Sequence, residues 1–118
     1  DHVRDFTYID DVVELTIRAL KKIPKKKTTL SENTSIAPWT IYNICGSRPI
    51  HLKKFVALIS KELGKKAIIK NLKMQKGDVK TTNGNNLVTI KALRYKPKTN
   101  VENGIKKFIE WYKKYNDK

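Results

Sequence analysis

A chain of 118 residues carrying a formal net charge of +15 has room for one small domain with a modest core and none for a second. Its positive charge is overwhelmingly lysine, since arginine stands only at 4, 18, 48 and 94. Lysine spread over helix surfaces reads first as a solvated face, although so basic a chain attracts polyanions whatever their sequence. Cys45 is the only cysteine, which excludes an intrachain disulfide and a cysteine-based zinc site and fits a reducing compartment. No charge-flanked signal segment or long apolar run indicates export or membrane insertion.

The first element is Arg4-Asp5-Phe6-Thr7-Tyr8-Ile9-Asp10-Asp11, an aromatic and β-branched run closing on two acids. It reads as a strand that exits sharply into a helix. Arg4 stands at the start of that strand, where its fork of donors suits a planar anion such as a phosphate. The helix is expected from about residue 11 to 22, opened by a capping box of Asp11 and Glu14 and ended before Pro24. Its polar stripe, Glu14, Arg18, Lys21 and Lys22, is narrow. A helix apolar over most of its circumference expects partners on more than one side.

Residues 25–35 are polar and read as a surface loop. Thr40 to Cys45 reads as a strand closed by Gly46, with Cys45 a small buried hydrophobe rather than a nucleophile. Leu52, Phe55, Val56, Ile59 and Leu63 then mark one face of a helix over 52–63 that Gly64 stops. His51 takes its N-cap position and reads as a surface residue rather than a ligand or base. Ala67 to Leu72 suggests a second strand. Gln75-Lys76-Gly77-Asp78 follows as a turn in which Gly77 gives backbone freedom and Asp78 offers two oxygens that could accept from a vicinal diol. Asn85 or Asn86 caps a short helix over 86–93 with Leu87, Ile90 and Leu93 inward. Thr99 to Glu102 has capping-box spacing for a last helix over 100–115, with Val101, Ile105, Phe108, Ile109 and Tyr112 on its inner face. Trp111 and Tyr115 share that period and read as core or rim packing rather than a base-stacking platform.

Several of these phrases, in this order, carry a resemblance: the Arg4 to Asp11 stretch, Ala37-Pro38-Trp39 with Tyr42-Asn43-Ile44, Pro49 before a helix, Met74 to Val79, Tyr95 to Thr99, and Trp111-Tyr112. Together they resemble the C-terminal, substrate-binding part of the extended short-chain dehydrogenases that epimerise or dehydrate nucleotide sugars, and among them the UDP-glucuronate 4-epimerase group. The fold implied is α/β, a small mostly parallel sheet with about four helices, in which the Ala67 strand lies beside the Arg4 strand and Thr40–Cys45 lies at the edge of the nucleotide-binding sheet. Residues 1–118 would form a single substrate-binding domain.

That family binds NAD through a Gly-x-x-Gly-x-x-Gly turn and moves protons with a Tyr-x-x-x-Lys pair. Neither is present here: the five glycines are scattered singly and no tyrosine has a lysine four residues on. The resemblance therefore implies a piece of a larger cytoplasmic enzyme, homodimeric in its complete form, whose Rossmann domain, NAD and catalytic pair lie upstream, with no catalytic or cofactor residue in this chain. It assigns Arg4 to a phosphate oxygen of a UDP-sugar, Asp78 to ribose hydroxyls and Gln75 to a place where several relatives carry a second arginine. Relatives also have glycine before the Tyr-x-Pro phrase, so Arg94 is expected to take a left-handed conformation. Two rival classes remain open at this point: a non-enzymatic basic module for nucleic acid or an acidic polymer, resting on charge alone, and a structural fragment exposing apolar faces.

Overall fold

The computed structural model describes residues 2–26 and 36–116; most of the expected 25–35 loop falls outside the described residues. In chain order the elements are β1 (Val3–Arg4), α1 (Ile9–Leu20), β2 (Ile50–His51), α2 (Leu52–Leu63), α3 (Leu87–Leu93) and α4 (Val101–Asn116). The four helices lie within about two residues of the ranges that hydrophobic period and turn residues predict. Among the described residues, no helix is long and apolar enough to cross a membrane.

Helix α1 packs on α3, and α2 packs on α4. The buried apolar centre is small, with Leu15 from α1, Leu93 from α3, and Ile105 and Ile109 from α4. Phe6 extends it by stacking on Phe55 of α2, with ring centroids 3.9 Å apart and planes 11° from parallel. The opposite side of α1 leaves Ile9, Val13, Ile17 and Leu20 exposed, so its broad apolar surface is covered on one side only. Leu87 is exposed, and Thr89 takes the buried place beside Leu93 that the expected α3 pattern gave to it. Trp111 and Tyr115 are likewise outside the core, and they stack on each other with centroids 5.3 Å apart.

The sheet corrects three expectations. β1 and β2 pair antiparallel, Val3 opposite His51 and Arg4 opposite Ile50, so the sheet is not mostly parallel. A parallel relation is present among the described residues as an isolated bridge from Val3 to Thr81. Residues 80–82 thereby occupy the flank of β1 expected for Ala67–Leu72, with Val3 N donating to Lys80 O at 3.0 Å and Thr82 N to Val3 O at 3.0 Å. Ala67–Leu72 forms no strand, and Ile68, Ile69 and Leu72 are exposed. Consecutive β-branched residues point to opposite faces of a strand, and neither face is covered here. Residues 41–45 also form no strand. The segment is tied instead to the start of α3, Asn86 Nδ2 donating to Cys45 O at 2.7 Å and Asn43 Nδ2 to Asn85 O at 3.3 Å.

The helix ends show which local signals prevailed. At α1 the N-cap is Tyr8, which makes no side-chain cap bond. Asp11 is drawn into the tertiary structure, and Glu14 pairs with Arg18 one turn on. Asn85 Oδ1 accepts from Leu87 N at 3.1 Å to open α3, and Asn100 Oδ1 accepts from Asn103 N at 2.8 Å to open α4. The last cap is therefore one residue later than Thr99, because the Thr99 amide is already engaged by Asp11. His51 is exposed at the start of α2 with no side-chain cap bond, as expected. Gly64 ends that helix at φ 64°. Arg94 ends α3 at φ 52° and ψ 42°, a left-handed conformation that costs an L side chain about 1–2 kcal/mol.

Asp11 is 2% exposed. Its Oδ1 accepts from the Tyr95 hydroxyl at 2.5 Å and from Lys98 N at 3.1 Å, and its Oδ2 from Thr99 N at 2.9 Å. Burial pushes this carboxyl up, but the Tyr95 hydroxyl and the two amides outweigh it and hold the pKa below its ordinary 3.8. The same contact, aided by burial, pushes Tyr95 from its ordinary 10.0 up to about 12. Tyr95→Phe should lower stability by about 1–2 kcal/mol in urea unfolding at pH 7. Because the folded tyrosine pKa is raised, its share of stability is complete below pH 10 and lost as pH rises through about 12. The depressed Asp11 pKa places the acid-side loss below about pH 3.8. A Tyr95→Phe chain as stable as the wild type at pH 7 would show that the clamp contributes nothing.

Candidate functional site

The turn from Gln75 to Asp78 closes through Asp78 N donating to Gln75 O at 3.3 Å. Gly77 stands at its third position with φ 85°, the sign that a type II turn requires there. This turn carries Asp78 back to β1, where Arg4 Nη2 donates to Asp78 Oδ1 at 2.8 Å. Arg4 Nη1 reaches the carbonyls of Val3 and Lys80 at 3.0 and 3.3 Å. The arginine is thus fixed by backbone oxygens on one arm and by a carboxylate on the other.

The structure therefore brings together Arg4 and Asp78, two residues 74 apart in sequence. His2 joins them, its buried Nε2 3.3 Å from Asp78 Oδ2 without hydrogen-bond geometry. Gln75 lies on the same turn with an exposed side chain. Arg4 is 23% exposed and Asp78 41% exposed, so their contact faces solvent. A pair in that position contributes about 0–1 kcal/mol and is cheap to exchange for a ligand.

A second carboxylate in the same N-terminal stretch has a different environment, which its local sequence did not reveal. Asp5 Oδ2 accepts from Ser47 N at 2.9 Å and Gly84 N at 3.1 Å, and Oδ1 accepts from Arg48 N at 3.2 Å. These three amides belong to loops 42 and 79 residues downstream, so no spacing rule links them to Asp5. Glycine is needed on both sides of this junction. A Cβ at residue 46 would come within 2.5 Å of the Phe6 carbonyl, and one at residue 84 would overlap Cys45. Cys45 is half-buried, rather than fully buried as expected, with Sγ 3.5 Å from Ser47 Oγ.

No known family profile matches the chain. It is 37% identical over 118 residues to the protein CapI of Staphylococcus aureus, covering 96% of this chain and 35% of that protein. It is 38% identical over 118 residues to a probable UDP-glucuronate 4-epimerase of Rhizobium meliloti, covering 92% of this chain and 34% of that one. The solved UDP-glucuronic acid 4-epimerase from Bacillus cereus, in complex with UDP-glucuronic acid and NAD, superposes with a TM-score of 0.76 at 25% identity, covering 97% of this chain and 33% of that chain. The chain is homologous to UDP-glucuronate 4-epimerases. It spans about a third of the length of these relatives.

Within this epimerase homologue, the two N-terminal carboxylates and Asp78 differ in what binds them. Removing Asp5 strands three backbone donors, whereas removing Asp78 takes away side-chain contacts alone, of which that with Arg4 lies at the surface. Asp5→Ala should therefore cost at least about 2 kcal/mol, while Asp78→Ala should stay within about 1 kcal/mol of the wild type. Parallel urea titrations of the two variants decide the point. Equal losses would mean that the Arg4 contact is a structural strut rather than an exchangeable pair.

Proposed function

We propose that the chain supplies the nucleotide-binding lobe of an NAD-dependent, UDP-glucuronate 4-epimerase-like enzyme of the extended short-chain dehydrogenase family. The observation that supports this reading is the solvent-facing Arg4–Asp78 pair at 2.8 Å, a cationic fork and a carboxylate at one edge. Arg4 would give donors to a phosphate oxygen, Asp78 would accept from the ribose hydroxyls, and Gln75 would donate a neutral hydrogen bond beside them. Binding then becomes an exchange in which the ligand's phosphate and hydroxyls replace, in part, the contact between the two side chains. Anchoring the nucleotide remote from the reacting carbon supplies binding energy and a fixed pivot for the sugar.

The residues of this chain do not fit NAD itself. Its glycines stand singly at 46, 64, 77, 84 and 104, and a phosphate-cradling turn needs them grouped between a strand and a helix. In this reading the cofactor and the proton-transferring pair belong to a partner lobe of the complete enzyme, which is cytoplasmic and dimeric by family pattern.

Two outcomes follow. The 118-residue chain given NAD and UDP-glucuronate should turn over no substrate, and formation of the C4 epimer by the purified chain would overturn the division of labour. In the complete enzyme, calorimetry with UDP and its deoxyribose analogue should separate the two side chains. Arg4→Ala should weaken both ligands by about 1.5–3 kcal/mol, and Asp78→Ala should weaken UDP while leaving the analogue nearly unaffected. Equal weakening of both ligands by Asp78→Ala would make Asp78 a turn former only.

A further inference from the structure

Three of the chain's four arginines line one cleft. Arg18, Arg48 and Arg94 meet Lys96, Lys98 and Tyr95 around a volume of about 510 Å³. Arg18 is already occupied: its Nε pairs with Glu14 Oε1 at 2.5 Å, and its Nη1 donates to the Leu93 and Arg94 carbonyls at 3.2 and 3.4 Å. It fixes the end of α3 and lies 5.2 Å from the Tyr95 ring centre.

The other four cations have no carboxylate partner among the described residues. Asp5 is bound by the backbone amide of Arg48 and not by its guanidinium, and Asp11 is filled by Tyr95 and two amides. Elsewhere Arg4, Lys54 and Lys107 do find acids, namely Asp78, Glu102 and Asp10. Gathering unpaired cations in one concavity is repulsive unless an anion joins them. The cleft is nevertheless held firmly, since the Asp11 clamp fixes both Tyr95 and the Lys98 backbone, and Pro97 is buried. Arg94 lines it from a left-handed backbone at φ 52°, a conformation glycine would adopt without strain. Strain held at a pocket is an indication of use.

We propose that this cleft binds the phosphoryl group of a small molecule. Guanidinium forks match phosphate oxygens, and the volume is that of a small-molecule pocket rather than of a duplex track. Tyr95 has its ring flanked by Arg18 and Lys98, which leaves no open platform for stacking bases. The site shares no residue with the Arg4–Asp78 edge, and the proposal stands without the nucleotide-sugar reading.

The test is a titration of the ¹⁵N-labelled chain with pyrophosphate at physiological salt, followed by amide shifts. Saturable shifts are expected at Arg48 and over residues 94–98. Arg94→Gly should weaken binding by about tenfold while the melting temperature stays the same or rises, which separates loss of the ligand from loss of the fold. Arg48→Gln should weaken binding similarly, and Arg94→Gly decides alone if that variant does not fold. Unchanged affinity in Arg94→Gly would overturn the proposal, as would shifts spread evenly over the surface lysines. An equal loss on Arg4→Ala would move the anion to the other edge and so refute the cleft. Displacement of pyrophosphate by duplex DNA at a lower phosphate concentration would make the surface a nucleic-acid track instead.

Discussion

The buried carboxylate of Asp11 is the constraint on which the arrangement depends. A charged group 2% exposed is tolerated because a phenol and two backbone amides satisfy it. Through those bonds it ties the first turn of α1 to the segment that enters α4. Leu15 is thereby brought one turn further along the same helix into the apolar centre, and Tyr95 is set between Arg18 and Lys98. Engaging the Thr99 amide also leaves the capping of α4 to Asn100. In a chain whose buried apolar core is this small, such polar ties carry a larger share of the specificity of packing.

The sequence revealed helices better than strands because a helix closes its own hydrogen bonds. Leu52, Phe55, Val56, Ile59 and Leu63 declare one face whatever lies opposite, and α2 begins and ends where that face does. A strand needs a neighbour that the local sequence does not name. Ala67–Leu72 has the β-branched composition of a strand but sits with Ile68 and Ile69 exposed, while the less strand-like residues 80–82 take the place beside Val3. Local capping rules failed for a related reason. Asp11 has capping-box spacing to Glu14, but better donors arrive from residues 84 to 88 positions away, and tertiary contacts override the local motif.

The sequence could single out Arg4 and Asp78 as candidates, but it could not show their contact. Arg4 and Asp78 stood out through their chemistry and through the family resemblance, yet nothing in the intervening sequence says that they touch. Their contact changes the physical picture. An isolated arginine would offer a phosphate its full charge, whereas this one is partly neutralised and already oriented by a carboxylate and two carbonyls. For a phosphate, such preorganisation would lower the ordering cost of binding while reducing the electrostatic gain.

The three aspartates separate by the nature of their partners. Asp5 and Asp11 are met by backbone amides, which move only if the chain moves, so their bonds are part of the fold. Asp78 is met by the side chains of Arg4 and His2, and its contact with Arg4 lies at the surface. A ligand can displace partners of the second kind without unfolding anything, but it can displace those of the first kind only by breaking the loops that hold the site. That difference in partners, more than any difference in the acids themselves, leaves the contacts of Asp78 exchangeable and makes the Asp5 and Asp11 junctions part of the frame.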